Sequence, residues 1–321
     1  MGNRWIEVKE EVAYATLPGW SGVQTYPVTE FTATPNNNTM ELKESVNLMA
    51  AGGILGGFTG NARLNMYARP DNLPYFFKWL WGTSTPTAGP PTGQIFTVTE
   101  PVKSFSLKYM HGYSGVNAII SKGNLVKSIE LTAAQNRPCM ANIALQYNTE
   151  DTNVAQTAPM AALSTVLRPY TLFDATVTSI GEQLKCENIS ITMERTIPDD
   201  AHTSGSRFLP DISEEGFAIT GEFDARFTTL TQRAKFFGGA GSSTSPQNDF
   251  LTGALTCNFL GGAAPVNNYS MNFSLPAIAI TEVESGTVNR ERLRQRLRFQ
   301  AYAYSSAGVP AVNQVTLLNG T

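Results

Sequence analysis

A nine-residue pattern recurs in this chain, sharing Thr-Gly and its apolar phase, and that repeat constrains the fold more than any other feature. Phe58-Thr59-Gly60-Asn61-Ala62-Arg63-Leu64-Asn65-Met66 lies over Ile219-Thr220-Gly221-Glu222-Phe223-Asp224-Ala225-Arg226-Phe227 at a constant offset of 161 residues. The apolar phase is kept: Phe58, Ala62, Leu64 and Met66 match Ile219, Phe223, Ala225 and Phe227. Each copy runs into a short aromatic segment that ends in glycine, and Phe76-Phe77 meets Phe236-Phe237 at offset 160. After a loop rich in Gly, Pro and Ser, each copy has an alternating run, at 104–109 and 269–275. The order strand, helix, strand at nearly one offset predicts a duplicated β-rich unit; the alternative is that this order is common in α+β proteins and that Thr-Gly is an easy match.

The segments between these landmarks read mostly as short strands joined by turns. Phe105, Leu107 and Tyr109 alternate with Ser104, Ser106 and Lys108, as in a half-buried strand. Runs at 125–132 and 184–193 alternate as well. Two short helices are predicted. One lies within 70–82, with Asp71 or Asn72 as cap, Pro74 in the first turn and Gly82 as stop. The other spans 230–237 and closes on Gly238-Gly239. Residues 148–162 are polar and aperiodic, as a linker would be, so the expected units are 1–160 and 161–321. The stretch 17–38 reads as a loop or arm, and the tail from Ser305 has little to anchor it.

Composition excludes several classes of function. A chain that is 42% hydrophobic and 15% charged can bury a core and is not of a disordered type. A net charge of −3 gives no global basic field. No apolar stretch approaches a bilayer span, and Arg4, Glu7, Lys9, Glu10 and Glu11 stand where a signal peptide needs an apolar run, so a cytosolic origin without membrane contact is expected. Cys139, Cys186 and Cys257 are an odd set without close spacing and are expected to be free thiols. His111 and His202 are the only histidines, which leaves histidine-based triads and zinc sites short of members. Asp199, Asp200 and His202 could hold a metal on paper, but carboxylates in such a loop are far more often solvated turn residues. The glycines of 52–57 lack the Lys-Ser/Thr of a phosphate loop. No enzyme activity, cofactor or metal is expected.

The sharpest local feature is Arg290, Arg292, Arg294, Arg296 and Arg298, at every second position. In a strand all five project from one face, with Leu293, Leu297 and Phe299 on the other. Three readings stand: a nucleic-acid stripe, a solvated basic face, and an interface where guanidinium forks meet carboxylates of a neighbouring copy. The acidic residues elsewhere, such as Glu7, Glu10, Glu11, Asp211, Glu214 and Glu215, favour the interface.

With the duplicated unit in view, residues 5–304 resemble the tail tube proteins of long-tailed (siphovirus-like) bacteriophages. The resemblance is carried by an acidic N-terminal strand (Ile6 to Glu11), Thr59-Gly60 followed by helix and then Ser104-Phe105-Ser106-Leu107, the segment Gly123-Asn124-Leu125-Val126-Lys127-Ser128-Ile129-Glu130-Leu131, and the runs 177–193 and 217–227. It implies a mainly β fold, each unit a β-sandwich or barrel with one short helix, and a ring-shaped oligomer. Two units per chain imply homotrimeric rings that stack through 17–38 and 40–58 into a hollow tube in the virion, assembled in the host cytoplasm. Double-stranded DNA would pass without specific binding, and tail terminator, tape measure and baseplate proteins would be neighbours. Another virion assembly protein, such as a capsid or baseplate component, and a nucleic-acid-binding module built on the arginine stripe are the alternatives.

Overall fold

The computed structural model describes residues 5–42, 49, 52–87, 93–100, 102–110, 118–154, 167–198, 202–212, 215–238, 243–249, 251–261, 269–288 and 292–319. In the first half, strands β1 (Trp5–Glu10), β2 (Gln24–Pro27), β3 (Glu30–Asn36), β4 (Met40–Leu42), β5 (Gly52–Ile54) and β6 (Thr59–Tyr67) precede helix α1 (Leu73–Trp81). Strands β7 (Gly82–Pro86), β8 (Gly93–Val98), β9 (Phe105–Met110), β10 (Ala118–Ala134), β11 (Met140–Tyr147) and β12 (Thr149–Val154) follow it. The second half opens with β13 (Ala175–Ser179), β14 (Glu182–Leu184), β15 (Cys186–Thr196) and β16 (Gly216–Arg226), then helix α2 (Thr231–Phe236). It closes with β17 (Gly253–Gly261), β18 (Tyr269–Val288), β19 (Arg292–Ala301) and β20 (Gln314–Asn319). The protein is mainly β, and every pairing named below is antiparallel.

The pairings of the first half recur in the second. β1 pairs with β2 and β9, β9 with β10, β10 with β11 and β12, β11 with β6, and β6 with β3. Correspondingly, β13 pairs with β14 and β17, β17 with β18, β18 with β19 and β20, β19 with β16, and β16 with β15. The first half has two further hairpins, β4–β5 and β7–β8. Among the described residues, two strand pairings stitch the halves together, β10 with β15 and β8 with β20, besides an isolated bridge between Pro138 and Thr171.

The long strands β10, which serves two sheets, and β18 each change partners midway. In β10 the change falls at a register shift between Ser121 and Asn124, where Gly123 takes φ +65. The buried carboxylate of Glu11 holds this corner, accepting bonds from Ser104 Oγ and Ser106 Oγ (both 2.6 Å), Gly123 N (2.9 Å) and Ala15 N (2.8 Å). In β18, Pro276 lies between the end of the β20 register at Ser274 and the start of the β19 register at Ile278, where a missing N–H costs no ladder bond.

Aromatic side chains explain the repeated Thr-Gly. Gly60 faces Tyr147 across β6–β11, and Gly221 faces Phe299 across β16–β19. Each ring lies over its glycine, so a Cβ on Gly60 would come within 2.1 Å of the Tyr147 ring and one on Gly221 within 2.4 Å of Phe299. Gly221→Ala is therefore expected to lower stability by about 2 kcal/mol through overpacking, read as a lower denaturant midpoint at unchanged m-value.

Three sequence expectations are corrected. The expected linker at 148–162 begins as a strand, because Thr149–Val154 pairs with β10; residues 155–166 lie outside the described residues. The tail from Ser305 is anchored by β20, which pairs with β18 and β8 and buries Val315 and Leu317 completely. The stretch 17–38 contains β2 and β3 and is no free arm. Helix α1 forms as expected, with Gly82 at φ +93 as its stop. Asn72 precedes it, but its side chain accepts from Arg69 N and donates to Tyr67 O instead of capping helix amides.

Candidate functional site

The arginine run lies on β19. Gln295, Leu297 and Phe299 are at most 4% exposed, whereas Arg294, Arg296 and Arg298 point out from the opposite, polar face. Arg290 lies outside the described residues, and Arg292 opens the strand. Because β19 sits between β16 and β18, antiparallel register puts Arg298 between Glu222 and Glu282 and Arg296 between Asp224 and Glu284.

The side chains close those pairs. Arg298 Nε is 3.0 Å from Glu222, and its Nη1 bonds Glu282. Arg296 bonds the other Glu222 oxygen and lies 3.9 Å from Asp224. Arg294 Nε is 3.0 Å from Glu187, which also holds Arg226 at 3.1 Å. Partial burial pushes the Glu222 carboxyl up, but hydrogen bonds from Arg296 and Arg298 outweigh it and hold it below the usual carboxylate range. Glu222 in turn raises the pKa of both guanidiniums. The ladder is charge-neutralised within one chain, which leaves little for a nucleic-acid stripe to offer.

This ladder is one part of a larger face. Strands β3, β6, β11, β10, β15, β16, β19 and β18 lie side by side in that order. One row runs from Glu30 through Asn65, Asn142, Glu130, Thr192 and Thr220 to Gln300. Asn65 donates to Glu30 at 2.9 Å and Asn142 to Glu130 at 3.1 Å. Among the described residues of this face, carboxylates (Glu30, Glu130, Glu194, Glu222, Asp224, Glu282, Glu284) outnumber guanidiniums (Arg63, Arg226, Arg294, Arg296, Arg298). The opposite face of the same strands carries the core, with Leu64, Met66, Ile129, Leu131, Ile143, Ile191, Met193, Phe223 and Leu297 at most 2% exposed.

A family model for the phage tail tube protein matches residues 7–300. The chain belongs to the phage tail tube protein family. It is a structural component of a phage tail, and no characterised protein among the curated ones matches its sequence.

Within this tail tube protein the duplicated positions play unequal parts. Leu64, Met66, Phe76 and Phe77 are fully buried, Ile219 and Ala225 nearly so, and Phe58 packs against Tyr147 and Phe208. Phe227 is half-buried just past β16, and Phe236 is 41% exposed. That inequality follows from the helices. Helix α1 buries seven residues, whereas α2 has six residues in all and docks through Gln232, which donates to Ser179 O and Glu182. Cys139 and Cys257 are buried and Cys186 half-buried, all free, and burial pushes the Cys139 and Cys186 thiols up to about 12. Among the described residues no cluster of His, Cys, Asp or Glu could hold a metal, and no helix is long and apolar enough to cross a membrane. Asp199 and Asp200 lie outside the described residues.

Sequence reasoning missed Arg195. It is 1% exposed on β15, in the second half, and donates to the carbonyls of Leu80 (2.9 Å), Trp81 (3.4 Å) and Thr99 (3.2 Å) in the first. Its guanidinium also stacks 5.3 Å from the Phe217 ring. It thus covers the negative end of α1. An arginine in phase with Ile189, Ile191 and Met193, on the apolar face of its strand, was the signal that could have found it.

Proposed function

We propose that this chain is the subunit of a tail tube, polymerising as stacked rings of three copies into a hollow conduit for the phage genome. The observation that carries this reading is the repeated pairing pattern, whose two halves join through β10 and β15 into one eight-stranded sheet. Three copies then supply six similar units. A closed wall of three such sheets has twenty-four strands, and at ordinary strand spacing and tilt it measures about 45 Å across.

The polar face suits the inside of that wall. Paired arginines attract phosphates weakly, and the surplus carboxylates repel them, so a duplex slides without being held. In this reading the arginines act on the ring contact through β18, the outer strand that Arg298 ties to β19 by its bond to Glu282. Stacking falls to the β4–β5 hairpin and its surroundings, where Met40, Met49, Ile54 and Leu55 are each more than half exposed.

The test is electron microscopy of the purified protein. Hollow tubes of uniform width are expected, and the double variant Arg294→Glu/Arg296→Glu is expected to form at least about ten-fold fewer, because it sets new carboxylates against Glu187, Glu222 and Asp224. Shells or irregular aggregates from the unaltered protein, or normal tubes from the double variant in a folded state, contradict the reading.

A further inference from the structure

The chain carries a template for its own ring contact. Within one chain, the second half of β10 is flanked on both sides, by β11 and by β15. Its counterpart, the second half of β18, has β19 on one side and, among the described residues, nothing on the other: the β17 register ends at Ile278 and the β20 register at Ser274. The counterpart of β15 is β3, which pairs with β6 alone among the described residues. One half thus has a joint, and the repeat leaves the two matching edges open at opposite ends of the eight-stranded sheet.

We propose that β3 of one copy adds antiparallel to the open edge of β18 in the next copy, in the register of the internal β10–β15 joint. The inference rests on the tail tube reading and supplies the strands and register of its ring. The register follows from the repeat. Ile143 is opposed by Leu64 and Ile129, and Gln295 by Ala225 and Ser285, so Ser285 stands to Ile129 at a separation of 156 residues. Gly60 faces Pro35 and Gly221 faces Ile191, so Ile191 stands to Pro35 at the same separation. The internal pair Glu130–Thr192 therefore maps onto Gly286 of one copy opposite Asn36 of the next.

The composition of the two joints differs as their duties do. Core-facing rows of the internal joint hold Ile129, Leu131, Ile191 and Met193, all buried, which makes it permanent. The open edges instead offer Ser285 and Pro35, and proline cannot donate to a ladder, so a lone chain resists random edge pairing. Such an edge closes only where the whole ring aligns it.

Disulfide trapping tests the register. Directly opposed residues in antiparallel strands have Cα atoms about 4.5–5.5 Å apart, within disulfide reach. Asn36 is exposed and a Cβ on Gly286 meets open space, so Asn36→Cys/Gly286→Cys is tolerated by the fold; Asn37→Cys/Ser285→Cys samples the alternate pair type. Oxidation of assembled protein is expected to give covalent dimers and trimers, with the ladder ending at three chains. The slipped pair Asn36→Cys/Glu284→Cys, a diagonal neighbour, is expected to give about ten-fold less. Equal or greater trapping by the slipped pair overturns the register. No trapping by either matched pair, in particles that microscopy shows to be rings or tubes, overturns the joint and leaves the tube reading standing. If the unaltered protein forms no rings at all, the tube reading fails first and takes the joint with it.

Discussion

Arg195→Ala is expected to lower the stability of the folded chain by about 4 kcal/mol. The guanidinium is the donor for three carbonyls, two of them in the last turn of α1, and Arg195 itself is only 1% exposed. Truncation takes the guanidinium donor from all three carbonyls, of which Trp81 O still accepts from Thr99 N (2.8 Å), opens a cavity beside Phe217, and removes the positive charge that offsets the helix dipole. Methionine at the same position is expected to restore packing only, recovering about 1 kcal/mol. Chemical denaturation of the three proteins checks this. Because Arg195 ties β15 to α1, the alanine variant is also expected to unfold in two steps, the halves losing their common transition. A variant within about 1 kcal/mol of the unaltered protein would show that the carbonyls find water and that the β10–β15 and β8–β20 ladders hold the halves without Arg195.

The second large effect is at Glu11. Its two carboxylate oxygens accept four hydrogen bonds at the corner where β10 leaves one sheet for the other. Glu11→Ala strands the buried hydroxyls of Ser104 and Ser106 and the Gly123 amide, a loss of about 3 kcal/mol. Glu11→Gln keeps one acceptor oxygen but turns the other into a donor facing donors, so it is expected to lose nearly as much. Amide hydrogen exchange locates the damage: protection at residues 118–124 is expected to fall before that at 125–134, because only the first part of β10 depends on the corner. Uniform loss along β10 would contradict this.

Much of the fold was legible because the features that made it so are forced locally. The Thr-Gly repeat is visible because Tyr147 and Phe299 leave no room for a side chain at Gly60 and Gly221. The arginine alternation reads as a strand because Leu297 and Phe299 must be buried in the opposite phase. The third repeated element was matched one strand out of place. Residues 104–109 fall on β9 and 269–275 on β18, whereas the pairings make β9 the counterpart of β17 and β10 that of β18. Alternation carries no identity, so any two half-buried strands align equally well. Ser104 and Ser106 show the same limit: they look solvated by pattern, yet they are buried on Glu11. Strand β20 was missed for a related reason, since Val315 and Leu317 are too brief an alternation to stand out without the two partners that bury them. The carboxylates that neutralise the arginines come from β15, β16 and β18, and only strand order brings them together.

The central claim is that one chain supplies two equivalent units, so that three chains make a ring. End-on class averages of assembled particles, carried to the resolution at which strands separate, test it most directly. Threefold symmetry with twenty-four strands lining the bore is expected, eight from each chain. A sixfold ring of six chains, or a bore in which only one half of each chain contributes strands, would contradict it.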